Sequence, residues 1–316
     1  MALLDPPQIL PNAAEVIYRY LLQAEKQTER RETLIAILSP ASLEQNLGQA
    51  GSKVLEDTLR ACEQLRLITS EGDAVRLNPG LPDYALNRRT GKHSLRRVLR
   101  KLILAPEMND GDWGSQKGAR DLTYSLAWYL RQDLYSAPAL WDLHPQLQSV
   151  QLAQQQQLGS KILIVNDTRW GAFMRWSTYL GFAVHHAFDG KAYLVPDPTV
   201  AVRDALSDCC TGRRGEVDLP SVVDSVAEQL PVLDRGTYRK EVETHLRPDY
   251  LAPVPPDTLS TALGHALRRL EDSKLITLSD RADAPNKVSF TNESGQRVVR
   301  STLSWTKPIR PTGEVA

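Results

Sequence analysis

The stretch TLRACEQLRLIT, residues 58–69, joins an amphipathic helix to the start of a strand, and a nearly identical junction occurs a second time in the chain. Residues 266–277 read ALRRLEDSKLIT, about two hundred residues further along the chain. In both copies apolar residues recur at helical spacing and then give way to the strand-forming residues Leu-Ile-Thr. A repeated helix-to-strand junction predicts two copies of one supersecondary unit.

The residues around the first copy predict a complete small domain. A first helix is expected from about 12 to 24, a second within 29–40, and a third after Gly51 with Leu55, Leu59 and Cys62 on its apolar face. The following LRLITSEGDAVRLNP alternates and turns at 71–73, which predicts a β-hairpin. Three short helices followed by a hairpin are typical of a winged helix, a helix-turn-helix variant found in DNA-binding proteins.

The C-terminal copy repeats this order. DLPSVVDSVAEQL (218–230), RGTYRKEVETHL (235–246) and DTLSTALGHALRRLEDS (257–273) predict its three helices, and KLITLSDRADAPNKVSFT (274–291) predicts a hairpin with a longer tip. In its third helix Leu263, Leu267 and Leu270 take the places of Leu55, Leu59 and Cys62. We therefore expect Leu59 and Leu267 to be equivalent core residues.

The central region shows a weaker form of the same helix-then-hairpin pattern. Residues 169–198 predict a helix, a junction at Leu180-Gly181 and a hairpin around Asp189-Gly190, so this part is either a degenerate winged helix or a helical domain with one hairpin. The predicted class is mainly α with small β-hairpins, an α+β fold with winged helices at both ends. The predicted divisions are 1–86, 87–210, 211–306 and a tail, 307–316.

Composition limits the partners of this protein. The 316 residues include 38 Lys or Arg and 38 Asp or Glu, so any attraction to nucleic acid has to be local. The chain begins without the features of a secretory signal and has no apolar run of membrane-spanning length, which predicts a cytoplasmic protein with no membrane contact. The three cysteines lack metal-site spacing, and neither metal nor cofactor is expected.

The strongest local charge lies in NRRTGKHSLRRVLRK, residues 87–101, which contains no acidic residue. On a helix starting near Ser94, its basic residues at three- and four-residue spacing should share one outward face, opposite an apolar face with Leu95 and Leu99. Neutralising phosphates releases counterions and dominates nonspecific affinity for DNA, so this segment is the predicted contact surface. Its cations are Arg88, Arg89, Lys92, Arg96, Arg97, Arg100 and Lys101. The alternative is a solvated basic face balanced by an acidic partner.

Further candidate DNA contacts lie on the third helices and hairpins of the two predicted winged helices. They are Lys53, Arg60, Arg76, Arg268, Arg269 and Lys287. The third helices also carry acidic residues, so neither is strongly basic, and Arg66 is expected to be offset by Glu63. Sequence-specific readout is therefore not favoured, and winged helices also serve as protein-docking modules.

Enzymatic chemistry is not predicted. The chain shows no phosphate-binding glycine loop, nucleophile elbow or HExxH helix. His185 and His186 are consecutive on a predicted strand and should point to opposite faces, which argues against a shared metal. Asp204 and Asp208 lie where carboxylates commonly support helix ends.

The stretches LLDPPQILPNAAEVIYRYLL (3–22), LRLIT (65–69) and FMRWSTYLGFAVHHAFDGKAYLVPDPT (173–199) together resemble the DpdG family of bacterial Dpd clusters. The resemblance implies an accessory protein encoded beside enzymes that place 7-deazapurine derivatives in DNA, and it implies no catalytic residue. Two functions follow as expectations. One is a noncatalytic DNA-binding subunit or adaptor of a modification or antiphage defence system. The other is a kleisin-like scaffold whose winged helices dock proteins.

Overall fold

The computed structural model describes most of the chain. The described residues are 2–4, 9–40, 50–111, 118–135, 147–154, 163–189, 191–209, 215–249 and 254–306, with the backbone alone described at 50–52, 147, 148, 188, 191 and 192. The chain divides into two compact units. Among the described residues, the first comprises those within Met1–Leu122 and Asn166–Tyr179, and the second comprises those within Thr123–Val165 and Leu180–Thr312. The α+β class is confirmed; the domain boundaries stay a prediction, and the tail 307–316 lies outside the described residues.

The first unit begins with helices packed on a small sheet. Its elements are α1 (Pro11–Gln23), β1 (Thr28–Arg30), α2 (Arg31–Leu38), α3 (Ala50–Gln64), β2 (Ile68–Glu71) and β3 (Ala74–Leu77). The strands are antiparallel in the order β1-β3-β2, and the apolar faces of α1 and α3 are buried between the helices and the sheet. The predicted β2–β3 hairpin is confirmed, whereas β1 was not predicted because its sequence, TER, has no apolar alternation.

The rest of the first unit is helical. The chain continues through α4 (Asp83–Leu86), a 3₁₀ turn at Gly91–His93, α5 (Leu95–Ile103), a 3₁₀ turn at Pro106–Met108 and α6 (Arg120–Tyr129). The boundary between the units falls within α6, after Leu122, and α7 (Leu147–Gln154) belongs to the second unit. The first unit resumes with helix α8 (Asp167–Tyr179), which packs on α1. The buried indole of Trp176 on α8 donates a hydrogen bond to the Ile9 carbonyl oxygen at 3.0 Å, which fixes the chain just before α1.

The second unit contains a hairpin and a second small sheet. Strands β4 (Ala183–Phe188) and β5 (Lys191–Pro196) form the predicted central hairpin, followed by α9 (Thr199–Cys209). The remaining elements are β6 (Glu216–Asp218), α10 (Leu219–Gln229), α11 (Thr237–Thr244), α12 (Thr261–Asp272), β7 (Ile276–Ser279), β8 (Val288–Thr291), β9 (Arg297–Arg300) and β10 (Thr302–Trp305). Strands β6, β10 and β7 form an antiparallel sheet in that order.

The predicted C-terminal hairpin is wrong in its second strand. Strand β7 pairs with β10, while β8 pairs with β9. The reason is a tight turn after β8: the Asn292 side chain accepts hydrogen bonds from the backbone N–H groups of Ser294 and Gln296, at 3.1 and 2.8 Å. This local turn pairs β8 with the next strand and leaves β10 to complete the sheet.

The repeated helix-to-strand junction is confirmed at the level of individual hydrogen bonds. After α3, the Leu67 N–H donates to the Cys62 carbonyl at 2.9 Å; after α12, the Leu275 N–H donates to the Leu270 carbonyl at 3.0 Å. The residue before each donor, Arg66 or Lys274, is left-handed with φ of 58° or 55°. Both junctions are therefore Schellman-type helix ends with the same spacing to the strand.

We expect a similar loss of stability when a core leucine is truncated in the third helix of either copy. Leu59 and Leu267 are 0% and 2% exposed, so the prediction that both are core residues is confirmed. Replacing either by Ala should lower the free energy of unfolding by about 2–5 kcal/mol, because it leaves a cavity. Hydrogen exchange should accelerate in β2 and β3 for Leu59→Ala, and in β7 and β10 for Leu267→Ala. Identical exchange patterns in both variants would contradict separate cores.

Candidate nucleic-acid interface

The basic segment, residues 87–101, is held on the first unit by its buried side. Tyr18 of α1 places its hydroxyl 2.5 Å from the Ala85 carbonyl oxygen and 3.2 Å from that of Gly91, and burial raises its pKa. A Cβ on Gly91 would lie 2.5 Å from the Ala85 carbonyl oxygen, so only glycine fits there. Farther along, the predicted apolar face of α5 is buried, with Leu95 and Leu99 inside.

The outer side of this segment presents exposed cations. Arg88, Arg89, Lys92 and Lys101 are all exposed. Arg88 is positioned by a hydrogen bond from Nη2 to the Ala24 carbonyl oxygen at 2.9 Å, and the Asn87 side chain accepts from the Arg89 N–H at 2.8 Å. Among the described residues, none of these four cations forms an ion pair with a carboxylate. We name these four residues the basic patch.

Arg96 and Arg97 are neighbours on the same helix, and each forms a cation–π contact with a different tyrosine. The Arg96 guanidinium lies 5.9 Å from the ring centre of Tyr179 on α8, and the Arg97 guanidinium lies 4.3 Å from that of Tyr84 on α4. Both arginines are half-buried. The pKa of Tyr179 is raised, first by burial and then by the nearby Glu15 carboxylate. These two arginines therefore hold α5 in place as well as adding positive charge.

Arg100 does not belong to an outward face. It is 3% exposed, although its helical position places it with the other basic residues of α5. Arg100 lies one turn after Arg96 on α5 and is covered by the surrounding structure. A helical wheel cannot reveal this burial. The expectation that Arg96, Arg97, Arg100 and Lys101 form one solvated face is therefore corrected.

The other cations predicted in the first unit are only partly available. Lys53 on α3 is exposed. Arg60, on the same helix, forms ion pairs with Asp57 at 3.3 Å and Glu56 at 3.7 Å. Arg76 on β3 pairs with Glu71 of β2 at 2.6 Å. Lys53 thus extends the exposed positive charge to the third helix, while Arg60 and Arg76 are neutralised locally.

In the second unit every predicted cation is paired within that unit. Arg268 pairs with Glu293 at 3.6 Å, Lys287 pairs with Asp280 at 2.7 Å, and Arg269 pairs with the buried Asp197. Helix α12 also packs on α9, and its His265 contacts the Tyr135 ring edge to face, with the ring centres 6.3 Å apart. Burial lowers the pKa of His265, which favours its neutral form. The C-terminal third helix is therefore largely engaged by its own unit.

Two exposed cations of the first unit, Arg66 and Lys26, lie close to the predicted contacts but were missed or discounted from sequence. Glu63, expected to offset Arg66, instead accepts from Arg31 and from the Ser70 hydroxyl, leaving Arg66 exposed at its left-handed position. Lys26 is exposed in the 3₁₀ turn at Glu25–Gln27, next to the carbonyl that holds Arg88. Lys26 is distant in sequence from the basic patch, so only the contact between α1 and residues 84–94 shows that it lies near the patch in space.

Across the described ranges, no group of three or more His, Cys, Asp or Glu side chains is arranged to hold a metal ion. His185 and His186 are exposed neighbours on β4, and Cys210 lies outside the described residues. In the same ranges, no helix combines the length and apolar character needed to cross a membrane.

The chain matches a known protein family. No curated protein and no solved structure matches the chain. A family model described as DpdG-like matches residues 1–284, which includes the basic segment, both Schellman-type junctions and the central hairpin. The match ends before β8, so the β8–β9 pair and strand β10, which completes the C-terminal sheet, lie beyond it. With about nine-tenths of its length matched, the chain belongs to the DpdG-like family.

Proposed function

We propose that the protein is a noncatalytic DNA-binding subunit or adaptor of a bacterial DNA-modification and antiphage defence system. The single observation that carries this proposal is the basic patch, four exposed cations without ion pairs among the described residues of a chain with zero net charge. Membership of the DpdG-like family supports the association with Dpd 7-deazapurine modification systems and with partner proteins of the same system.

We also propose that both ends of the chain are winged helices. Each end has three helices and a three-stranded sheet. The strand after the third helix, β2 or β7, pairs with a later strand, β3 or β10, and this later strand also pairs with a third strand, β1 or β6. The third strand differs in origin, since β1 follows the first helix of its copy and β6 precedes it. The shared Schellman-type junction supports a common origin despite this difference.

The N-terminal end is the proposed DNA-contacting end. Lys53 and the basic patch are exposed on the first unit, whereas Arg268, Arg269 and Lys287 are neutralised by neighbouring acids of the second. Exposed cations can displace counterions from phosphates, while paired ones first have to break their ion pairs. Binding through such cations recognises the backbone and not the base sequence.

The test is the salt dependence of duplex binding by the full chain. Fluorescence anisotropy with a labelled duplex of about 20 base pairs should show log K falling with log[KCl] with a slope of about −3 to −4, because each of four phosphate contacts contributes about −0.9. A second duplex of unrelated sequence should bind with similar affinity. A slope near zero, or no binding at low salt, would reject the DNA-binding function.

The absence of catalysis is a proposal of its own. We expect the purified protein with duplex DNA, ATP and Mg²⁺ to show neither nicking nor phosphate release, since no nucleophile paired with a base was found in the sequence. The matched control replaces His185, His186, Asp204 and Asp208 together. Activity that is present in the wild type and lost in this control would establish an enzyme with its site in the central region.

The alternative function is a protein-docking scaffold with tandem winged helices, similar to kleisin-like subunits. The specific observation in its favour is the engagement of α12 by Asp197, Glu293 and Tyr135, which leaves its cations unavailable for phosphates. Stable association with a partner protein in the absence of DNA affinity would favour this function over the first.

A further inference from the structure

A pocket of about 470 Å³ lies in the first unit, between the base of the β2–β3 hairpin and helix α5. Its floor is formed by the buried side chains of Leu65, Leu81 and Val98. Its walls are half-buried, and its rim is exposed and charged. The wall residues are Pro82, Leu102, Ala105 and Met108, and the rim residues are Arg66, Lys101 and Glu107.

Hydrogen bonds fix the walls of this pocket. On one side, the Asn78 side chain donates to the Arg66 carbonyl at 2.7 Å, and the Leu81 N–H donates to the Asn78 carbonyl at 3.1 Å. On the other side, the buried Asn109 side chain donates to the carbonyls of Ile103 and Ala105 at 2.7 and 2.8 Å. The pocket is therefore preformed, which lowers the conformational entropy that the protein has to lose when a ligand binds.

The rim gives the pocket a positive character. Neither Arg66 nor Lys101 forms an ion pair within the described residues, and Glu107 is the single acid among the lining side chains. Glu63, the nearest acid to Arg66 on α3, is held by Arg31 and Ser70. An apolar interior below two available cations is complementary to an apolar side chain that has carboxylates beside it.

We propose that this pocket docks a segment of a partner protein in which a Leu, Ile, Met or Phe side chain is flanked by Asp or Glu. The apolar side chain enters between Leu102 and Met108, and the neighbouring carboxylates meet Arg66 and Lys101. Duplex DNA is the less suitable occupant, because the floor is aliphatic and offers base edges no hydrogen-bonding side chain. The proposal does not rest on DNA binding by the basic patch.

Lys101 belongs both to the basic patch and to the pocket rim. An acidic segment bound in the pocket would neutralise Lys101 and reduce the positive charge available to phosphates. Partner docking and DNA binding would then oppose each other at this residue, by a modest factor, since three other cations of the basic patch remain outside the pocket.

The experiment selects peptides from a phage-displayed random 12-residue library on the full chain and then measures the affinity of the selected peptides by fluorescence anisotropy, without DNA. Selected sequences should combine one large apolar residue with neighbouring Asp or Glu. Ala105→Trp, which fills the pocket, should weaken binding at least about tenfold, the equivalent of burying one apolar side chain. Arg66→Asn with Lys101→Gln should weaken it about 2- to 30-fold, and Asn suits the left-handed backbone at 66.

The matched control is Arg88→Gln with Arg89→Gln, which removes the same charge outside the pocket and should leave peptide affinity unchanged. Thermal unfolding of every variant should match the wild type. Selection of peptides without the apolar and acidic pattern, or binding that survives Ala105→Trp, would overturn the proposal. So would failure to select any peptide, or loss of duplex affinity in Ala105→Trp, which would assign the pocket to DNA. Absence of DNA binding by the wild type would reject only the proposed DNA-binding function.

Discussion

Reversing the charge of the basic patch should reduce duplex affinity at least about a hundredfold at low salt. The variant replaces Arg88, Arg89, Lys92 and Lys101 by Glu. Each lost cation removes one site of counterion release, and each new carboxylate repels the phosphates, so the salt dependence should also become shallow. Fluorescence anisotropy with the duplex used for the wild type measures both effects.

The choice of residues follows from burial. Arg100 is excluded because a carboxylate at a 3% exposed position would unfold the helix instead of testing the surface, and Arg96 and Arg97 are kept because they hold α5 against Tyr179 and Tyr84. The control replaces Lys240, Lys274, Arg281 and Arg297 of the second unit by Glu, with the same change in net charge. Equal loss of affinity in the control would assign binding to overall charge and not to the basic patch.

Replacing Asp121 by Ala should lower the free energy of unfolding by about 3–5 kcal/mol, the largest stability effect that we expect from one substitution. The Asp121 carboxylate is buried and accepts from the backbone N–H groups of Leu3 and Leu4, at 3.2 and 2.8 Å, and from that of Leu122 at 2.8 Å. It also lies 3.5 Å from the Arg169 guanidinium. Without it, backbone donors are left buried without an acceptor. Urea unfolding measures the loss, and Asp110→Ala, an exposed acid, is the control.

The pH dependence of this residue has a defined sign. Burial raises the pKa of Asp121 to about 6 despite the hydrogen bonds and Arg169, which act to lower it. Because the folded-state pKa lies above the unfolded one, the folded chain binds this proton more tightly, and the contribution of Asp121 to stability falls as pH rises from about 4 to 6. In Asp121→Asn this part of the pH dependence should disappear. An unchanged profile between wild type and Asp121→Asn would contradict the titration of Asp121 in this range.

The helix-to-strand junctions could be predicted from sequence because their determinants are local. Apolar spacing sets the helix, and the change to alternation three residues after it sets the strand, so 58–69 and 266–277 could be recognised without any long-range information. The pairing of β7 with β10 could not be predicted, because it depends on the tight turn at Asn292. This turn pairs β8 with β9 and leaves β7 to pair with β10. Strands β1 and β6 are three residues each and become strands only through their partners β3 and β10.

The sequence predicted which basic residues belong to the candidate interface, but it did not predict which of them are exposed. An acid-free run of basic residues is visible in the sequence, and the helical spacing correctly placed Leu95 and Leu99 on the buried side of α5, but it did not predict that Arg100 is buried as well. Which cations remain available depends on partners distant in sequence. The Tyr179 ring contacts Arg96, Asp197 pairs with Arg269, and Arg31 binds Glu63, which makes Glu63 unavailable to Arg66. These pairings are set by tertiary packing, so single-sequence reasoning could not assign them.

The two sheets have different consequences for assembly during synthesis. The N-terminal sheet is complete once residue 77 has been made, and its β2–β3 hairpin closes across only two residues. The C-terminal sheet needs β10, at 302–305, and joins it to β6 with pairs such as Thr302 and Asp218. Long-range pairing of this kind forms slowly and leaves unpaired strand edges exposed until it is complete. Nascent chains that stop before β10 should therefore fold at their N-terminal end yet aggregate through the open edges of β6 and β7.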